Sequence, residues 1–172
     1  MSVNLSKGRY DIVLAVSYKG NMDYIEFFKH SIKEAFENMF EEKIILENQT
    51  CAPGWVLSKG AAVIVGISGE KKGRVLIDMC LDTALELARK IVSDFNDEDF
   101  ALFTIAEFCN IASGGATTLI NDEFRGRSLR LAPPSIFAGS NFKLFSPKLN
   151  SVLLSYDTRF GKIDFHIGFE GE

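Results

Sequence analysis

Glu107 and Asn110 are the two residues of this chain whose types and spacing could act together on a bound group. A carboxylate accepts hydrogen bonds and pairs with cations, and a carboxamide both donates and accepts. They lie in the stretch Phe100-Ala-Leu-Phe-Thr-Ile-Ala-Glu-Phe-Cys-Asn-Ile-Ala-Ser-Gly-Gly-Ala-Thr-Thr-Leu119, whose periodicity predicts a helix. Ala101, Ile105, Phe108, Ala112, Ala116 and Leu119 form its apolar stripe. Glu107 and Asn110 fall on the opposite face, within about 60° of each other at 3.6 residues per turn. Gly114 lies between them in angle, one turn further on, as a spot without a side chain. Two readings stay open at this level: a surface that engages a partner, and an ordinary solvated face.

The elements that must position this helix are legible around it. Asp11-Ile-Val-Leu-Ala-Val-Ser-Tyr18 reads as a short strand broken by Lys19-Gly20-Asn21, and Met22 to Phe40 as an amphipathic helix with Ile25, Phe28, Ile32 and Phe36 in its stripe. Lys43 to Glu47 reads as a strand. Two hairpins follow at a distance from each other, Ala61–Ser68 with Arg74–Asp78, and Ser151–Tyr156 with Lys162–Phe169. Each turn contains an acidic residue, a basic residue and a glycine able to take positive φ. In the last strand Ile163, Phe165, Ile167 and Phe169 alternate with Lys162, Asp164 and His166, which predicts one buried and one wet face. The likeness of the hairpins points to an internal duplication. Leu81 to Val92 reads as a helix with Asp82 as N-cap and Ala84, Leu85, Ala88, Ile91 and Val92 in the core. Asp94 to Asp99 is an acidic link, Asn121 to Ser128 a loop, and Leu129 to Pro134 an extended segment, because Pro134 keeps Pro133 out of the α region.

Composition narrows the function classes. The chain has 172 residues, 47% of them hydrophobic and fifteen of them Phe, enough for one well-buried domain. A net charge of -4 argues against nucleic acid as the main partner. The one basic cluster, Arg125-Gly-Arg-Ser-Leu-Arg130, reads as a solvated loop. No apolar run reaches the ~20 residues that span a bilayer, so no membrane partner is expected. The polar start does not read as a signal peptide, so the chain is expected to be cytoplasmic. Cys51, Cys80 and Cys109 have no CxxC spacing, and Cys80 and Cys109 read as small core residues. His30 and His166 stand far apart, and no metal site is expected. Ser113-Gly-Gly is not a phosphate-binding loop, since no Gly-Lys-Ser/Thr follows.

The order of helix, glycine-turn hairpin, "LDTALELARKIV", acidic link, "AEFCNIASGGA", "APPSIFAG" and final hairpin resembles the CheC/CheX/FliY group of phosphatases that act on the response regulator CheY. The signature of that group is Asp or Ser, three residues, Glu, two residues, Asn, twenty-two residues, Pro. Glu107, Asn110 and Pro133 match it in identity and spacing. The resemblance covers roughly residues 20–172. The first helix offers Glu34 and Glu37 but no Glu-x-x-Asn, so a single site remains, as in CheX. Phe103 stands at the Asp/Ser position and is where the pattern departs.

The resemblance implies an α+β domain over 21–172, with long helices on an antiparallel sheet, a pseudo-twofold internal relation, and an extension or strand over 1–20. It implies a phosphatase for the aspartyl phosphate of a CheY-like receiver. Asn110 would orient the attacking water and Glu107 would pair with the receiver's active-site Lys. Phe103, Gly114 and Pro133 would meet the partner, with Gly114 and Gly115 admitting its backbone. The chain itself would hold no cofactor, the Mg2+ being the receiver's. A homodimer is implied too, formed at sheet edges, for which the terminal hairpin offers an unpaired strand. The rival expectation is a receiver-binding adaptor or flagellar interaction module without catalysis, favoured by Phe103. A metabolic enzyme finds no nucleophile–base pair, metal cluster or cofactor loop to rest on.

Overall fold

Strand alternation builds the floor of this domain and aromatic side chains fix the helices to it. The computed structural model describes residues 9–94, 96–124, 128–145 and 149–171, with side chains from residue 24 onward. Its elements run α1 (Arg9–Phe40), β1 (Ile45–Cys51), β2 (Trp55–Ser68), β3 (Gly73–Cys80), α2 (Leu81–Ile91), α3 (Glu98–Glu123), β4 (Arg130–Leu131), β5 (Ser135–Phe145), β6 (Leu149–Thr158) and β7 (Gly161–Glu170). The strands form one antiparallel sheet in the order β1-β6-β7-β3-β2, with β4 and β5 both pairing β2. The fold is α+β, with the helices on one face.

The expected duplication is visible in that order. Outward from the β3–β7 pair at the centre come β2 and β6, then β5 and β1. The run α1-β1-β2-β3 thus mirrors α3-β5-β6-β7, and each half lends its first long strand to the other half's hairpin: β1 pairs β6, and β5 pairs β2. Gly161 closes the second hairpin at φ 133, a backbone state that favours glycine.

The core lies between helices and sheet. Ile163, Phe165, Ile167 and Phe169 of β7 are all buried there, as the alternation predicts. Phe108 of α3 is fully buried and meets Phe36 at 5.6 Å, Phe40 at 5.4 Å and Phe165 at 5.8 Å between ring centroids, edge to face in each case. One ring therefore ties α3 to α1 and to the sheet.

The second face of the sheet is not simply wet. Val56 and Leu144, near the free ends of β2 and β5, cluster with Ala62 and Leu76 in the sheet. Pairing between β2 and β5 slips between Leu57 and Lys59, and there the pair curls over the face opposite the helices. Asp78 of β3 holds that bend. Its carboxylate is fully buried and accepts from the Ser58 hydroxyl at 3.2 Å and the Lys59 N–H at 3.1 Å. Arg74 donates to the carbonyl of Phe145 at 2.8 Å, further along the same arm. His166 of β7 is 7% exposed on this side, against the expectation of a wet residue.

Several other expectations change. Residues 11–18 are not a strand; they continue α1, and the boundary drawn near residue 20 falls inside one helix. A short apolar run fits a strand or a helix equally, and one internal glycine costs a helix only about 1 kcal/mol. The terminal hairpin is not an edge, because β7 lies between β6 and β3 and β6 is covered by β1; the edges are β1 on one side and β4 with β5 on the other. The N-cap of α2 is Cys80, with no side-chain capping bond, and Asp82 sits in its first turn. Ile91 and Val92 are exposed, whereas Thr83 and Leu87 are buried. The acidic link does more than dissolve: Asp97 caps α3, accepting from the N–H groups of Asp99 at 2.8 Å and Phe100 at 3.3 Å. Asn121 belongs to α3 rather than to a loop. Cys80 is exposed and Cys109 buried. Of the basic cluster at 125–130, residues 125–127 lie outside the described residues.

Two outcomes follow from this packing. Phe108→Ala should lower unfolding stability by about 3–5 kcal/mol, the usual cost of emptying a packed aromatic site, read as a shift of the urea midpoint. Burial pushes the Asp78 carboxyl up to about 6 and the His166 imidazole down to about 4. A raised carboxyl is a stability contribution present at low pH and lost as pH rises from about 4 to 6. A depressed imidazole acts oppositely, its contribution growing as pH rises from about 4 to 6.5. The two slopes oppose each other in the wild type. Asp78→Asn should leave stability rising with pH across this window, and His166→Leu should leave it falling, each by at most about 1.4 kcal/mol per pH unit. Urea midpoints at pH 4 to 7 check both signs.

Candidate functional site

Helix α3 is enclosed on most of its circumference. Twelve of its residues are buried, among them Leu102, Ile105, Phe108, Cys109, Ala112, Ser113 and Ala116. What remains outward is a narrow strip. Phe103 is 64% exposed, Glu107 is exposed, and Asn110, Gly114 and Gly115 are half-buried. At about 100° per residue, Phe103 and Gly114 lie within roughly 40° of Glu107 on the side where Asn110 also lies. The structure therefore brings four of the five sequence-predicted residues onto one strip.

The fifth, Pro133, sits on the segment that flanks the strip. Asn121, near the end of α3, donates to the Leu129 carbonyl at 3.0 Å and accepts from the Leu129 N–H at 2.8 Å. This two-point clamp starts the segment against the helix. Leu131 then pairs with Ile67 of β2, and the Ala132 N–H donates to the Gly66 carbonyl at 2.8 Å. The methyl of Leu131 lies 3.9 Å from where a Cβ on Gly114 would stand, so Gly114 faces this segment with ordinary clearance. Pro133, exposed, follows two residues later. The sequence showed the Pro133 spacing but not the clamp: a single Asn beyond a helical stripe carries no signal of what it binds.

On its other flank α3 meets α1. The Ser31 hydroxyl donates to the Ala112 carbonyl at 2.7 Å, and a Cβ on Gly115 would stand 2.2 Å from that hydroxyl oxygen. Gly115 is thus spent on a close helix crossing rather than on an open surface. Ile111, one turn after Glu107 and 44% exposed, borders this flank; the helical periodicity did not single it out.

The arrangement presents a carboxylate and a carboxamide on a rigid helix. It offers no nucleophile of its own. Cys109, next to Asn110, is fully buried, and burial pushes its thiol up to about 12, so it neither reaches a substrate nor ionises. Among the described residues no group of three or more His, Cys, Asp or Glu is placed to hold a metal ion. Among them, too, no helix is long and apolar enough to cross a membrane.

Proteins of known structure share this fold. Residues 61–156, more than half of the chain, match the family model described as chemotaxis phosphatase CheX. None of the curated protein sequences matches it. Among solved structures, the chain is similar to a chemotaxis protein CheX from Desulfovibrio desulfuricans, at TM-score 0.78 and 17% identity over 86% of this chain and 99% of that one. It is similar to a CheC-like superfamily protein from a Shewanella species, at TM-score 0.77 and 21% identity over 87% and 98%. It is also similar to a protein in the CheX-CheY-BeF3-Mg2+ complex of Borrelia burgdorferi, at TM-score 0.74 and 25% identity over 86% and 97%. The first two likenesses bear on the fold alone, which is the CheC-like fold. With the family model matched from within β2 to within β6, α3 included, this chain belongs to the CheX family of chemotaxis phosphatases.

Proposed function

We propose that this protein hydrolyses the aspartyl phosphate of a CheY-like response regulator and so ends a chemotaxis signal. The observation that carries the reading is the placement of exposed Glu107 and half-buried Asn110 on one outward strip of α3, in a chain of the CheX family whose Pro133 keeps the family's spacing. The complex of a similar protein with CheY, carrying BeF3 and Mg2+, supports a receiver domain as the partner.

In this reading α3 docks on the phosphorylated face of the receiver. Asn110 accepts a hydrogen bond from a water molecule and donates one, holding it in line with the phosphorus. The water oxygen bonds to phosphorus as the bond from phosphorus to the Asp oxygen breaks. The products are inorganic phosphate, which keeps the water's protons, and the receiver's free carboxylate. That leaving group is already a weak base, so the step needs no general acid, consistent with a site that contains no histidine. The charge of the transferring group is met by the receiver's Mg2+, and Glu107 pairs with the receiver's active-site Lys. Phe103, Gly114 and Pro133 complete the contact. The protein works as a cytoplasmic homodimer, and the sheet edges at β1 and β5 are the strands open to such pairing.

A second reading keeps the docking and drops the chemistry. Phe103, 64% exposed at the position where the family signature has Asp or Ser, favours it: a bare aromatic ring suits an anchor in an adaptor. The phosphate lifetime of a cognate receiver separates the two. A phosphatase shortens it in proportion to its concentration, and an adaptor leaves it unchanged despite measurable binding. Asn110→Ala should lower the hydrolysis rate by about two orders of magnitude or more, in the range lost with one positioned polar group. Receiver affinity and the unfolding midpoint should stay near wild type. Undiminished hydrolysis by this variant would remove Asn110 from the water-orienting role.

A further inference from the structure

Glu107 divides the exposed strip of α3 into two flanks. Asn110, Phe103 and Gly114 lie on the flank toward β4, and Ile111 and Gly115 on the flank toward α1, at about +40° and +80° from Glu107. The chemistry proposed above uses only the first flank. The second opens onto a groove between α1 and α3 with a volume of about 320 Å3. Its floor is Ser31, Ala35 and Gly115, and Ile111, Met39, Asn38 and Glu34 stand around it. The floor is fixed: Ser31 is bonded to the Ala112 carbonyl, and its hydroxyl stands where a Cβ on Gly115 would be. Ile111 leaves 44% of its surface in solvent at the lip of this groove, one turn from Glu107. A carboxylate stands on each side of it, Glu107 before it on α3 and Glu34 across the groove on α1. Glu34 is exposed, with the exposed His30 ring 3.7 Å away.

We propose that this groove, with Ile111 at its lip, is a specificity-determining part of the receiver-docking surface. It takes an apolar side chain of the phosphorylated receiver whose neighbours on the receiver's surface are cationic. The proposal rests on the receiver-phosphatase reading. Continuity with the Glu107–Asn110 strip commits the occupant, because a globular domain seated over Glu107 reaches one helical turn in either direction. The flanking carboxylates set the charge of what lies beside that side chain. Ile111 and the α1 groove thus determine which receiver is held, and the Asn110 flank determines how fast its phosphate leaves. Ile111 is a docking residue here, not a catalytic one.

The test measures dephosphorylation of a purified phosphoreceiver by the full chain over a range of receiver concentrations. Ile111→Ala and, on the other helix, Glu34→Lys should each raise KM, about tenfold for Ile111 given the apolar area it could lose. Each should leave kcat within about twofold. Asn110→Ala should show the reverse split, with kcat lost and KM kept. The effect of Glu34→Lys should shrink at high salt, and that of Ile111→Ala should not. Unchanged KM in both groove variants, beside a wild type that hydrolyses, would overturn this proposal and leave the phosphatase reading standing. A loss of kcat at constant KM would also overturn it. So would a change of oligomeric mass in sedimentation, which would assign the groove to a second copy of the chain. A wild type that never shortens the phosphate lifetime would instead fail the phosphatase reading itself.

Discussion

The ring of Phe108 touches aromatic side chains from α1 on one side and from β7 on the other, and the position of α3 depends on it. Edge-to-face contacts of this kind add to the hydrophobic gain of burial and prefer particular angles. They therefore fix the rotation of α3 as well as its depth. Rotation matters here because Glu107 is the residue directly before Phe108. With Phe108 pointing straight into the core, a helix places Glu107 about 100° away around the axis, and the next turn places Asn110 and Ile111 to either side of it. A mixture of rotamers under α3 would smear that strip, and three close aromatic partners leave little room for one.

The twofold order of the sheet explains why α1 and α3 are neighbours at all. Each opens one half of the duplicated chain, and the halves meet along β3 and β7, so their leading helices lie side by side over that seam. The two have diverged in what they present. α3 keeps a carboxylate and a carboxamide three residues apart, whereas α1 shows Glu34 and Glu37 at that spacing. The Ser31 bond and the absent side chain of Gly115 then bring the two helices close. Glu34 of that α1 pair lines the groove beside the strip.

Much of this was legible in the sequence. The stripe of α3, the alternation of β7 and both central hairpins follow from periodicity, and the Glu107, Asn110 and Pro133 spacing led to the family. The misreadings have physical causes. Residues 11–18 are apolar over too short a run for a period to show, so strand and helix could not be told apart. His166 obeys the strand alternation, but the arm of β2 and β5 curls over its face, and a bend at Ser58 is tertiary information. The edge of the sheet was misplaced because β1 crosses to the far hairpin, a pairing that no local pattern encodes. Ile111 went unnoticed because an apolar residue beside a stripe reads as part of the core. It lines the groove between α1 and α3 instead, 44% exposed. The Asn121 clamp joins residues eight apart through an intervening segment, which no periodicity marks.

A site with so little chemistry of its own must work by placement. In the proposed reaction the leaving group is a carboxylate and the metal belongs to the partner, so what is left to this chain is to dock the receiver and hold a water molecule on line. The value of that service decays steeply with distance, since a displacement of about 1 Å can cost two orders of magnitude in an oriented step. A side chain on a loop would be a poor choice. Asn110 is instead carried on a 26-residue helix that is capped by Asp97, wedged by Phe108, tied to α1 through Ser31 and clamped to the Pro133 segment through Asn121. Each anchor restrains a different motion: the cap resists fraying, the wedge rotation, the Ser31 bond sliding along α1, and the clamp drift of the neighbouring segment. In that reading, residues that touch no substrate hold the geometry on which the rate depends.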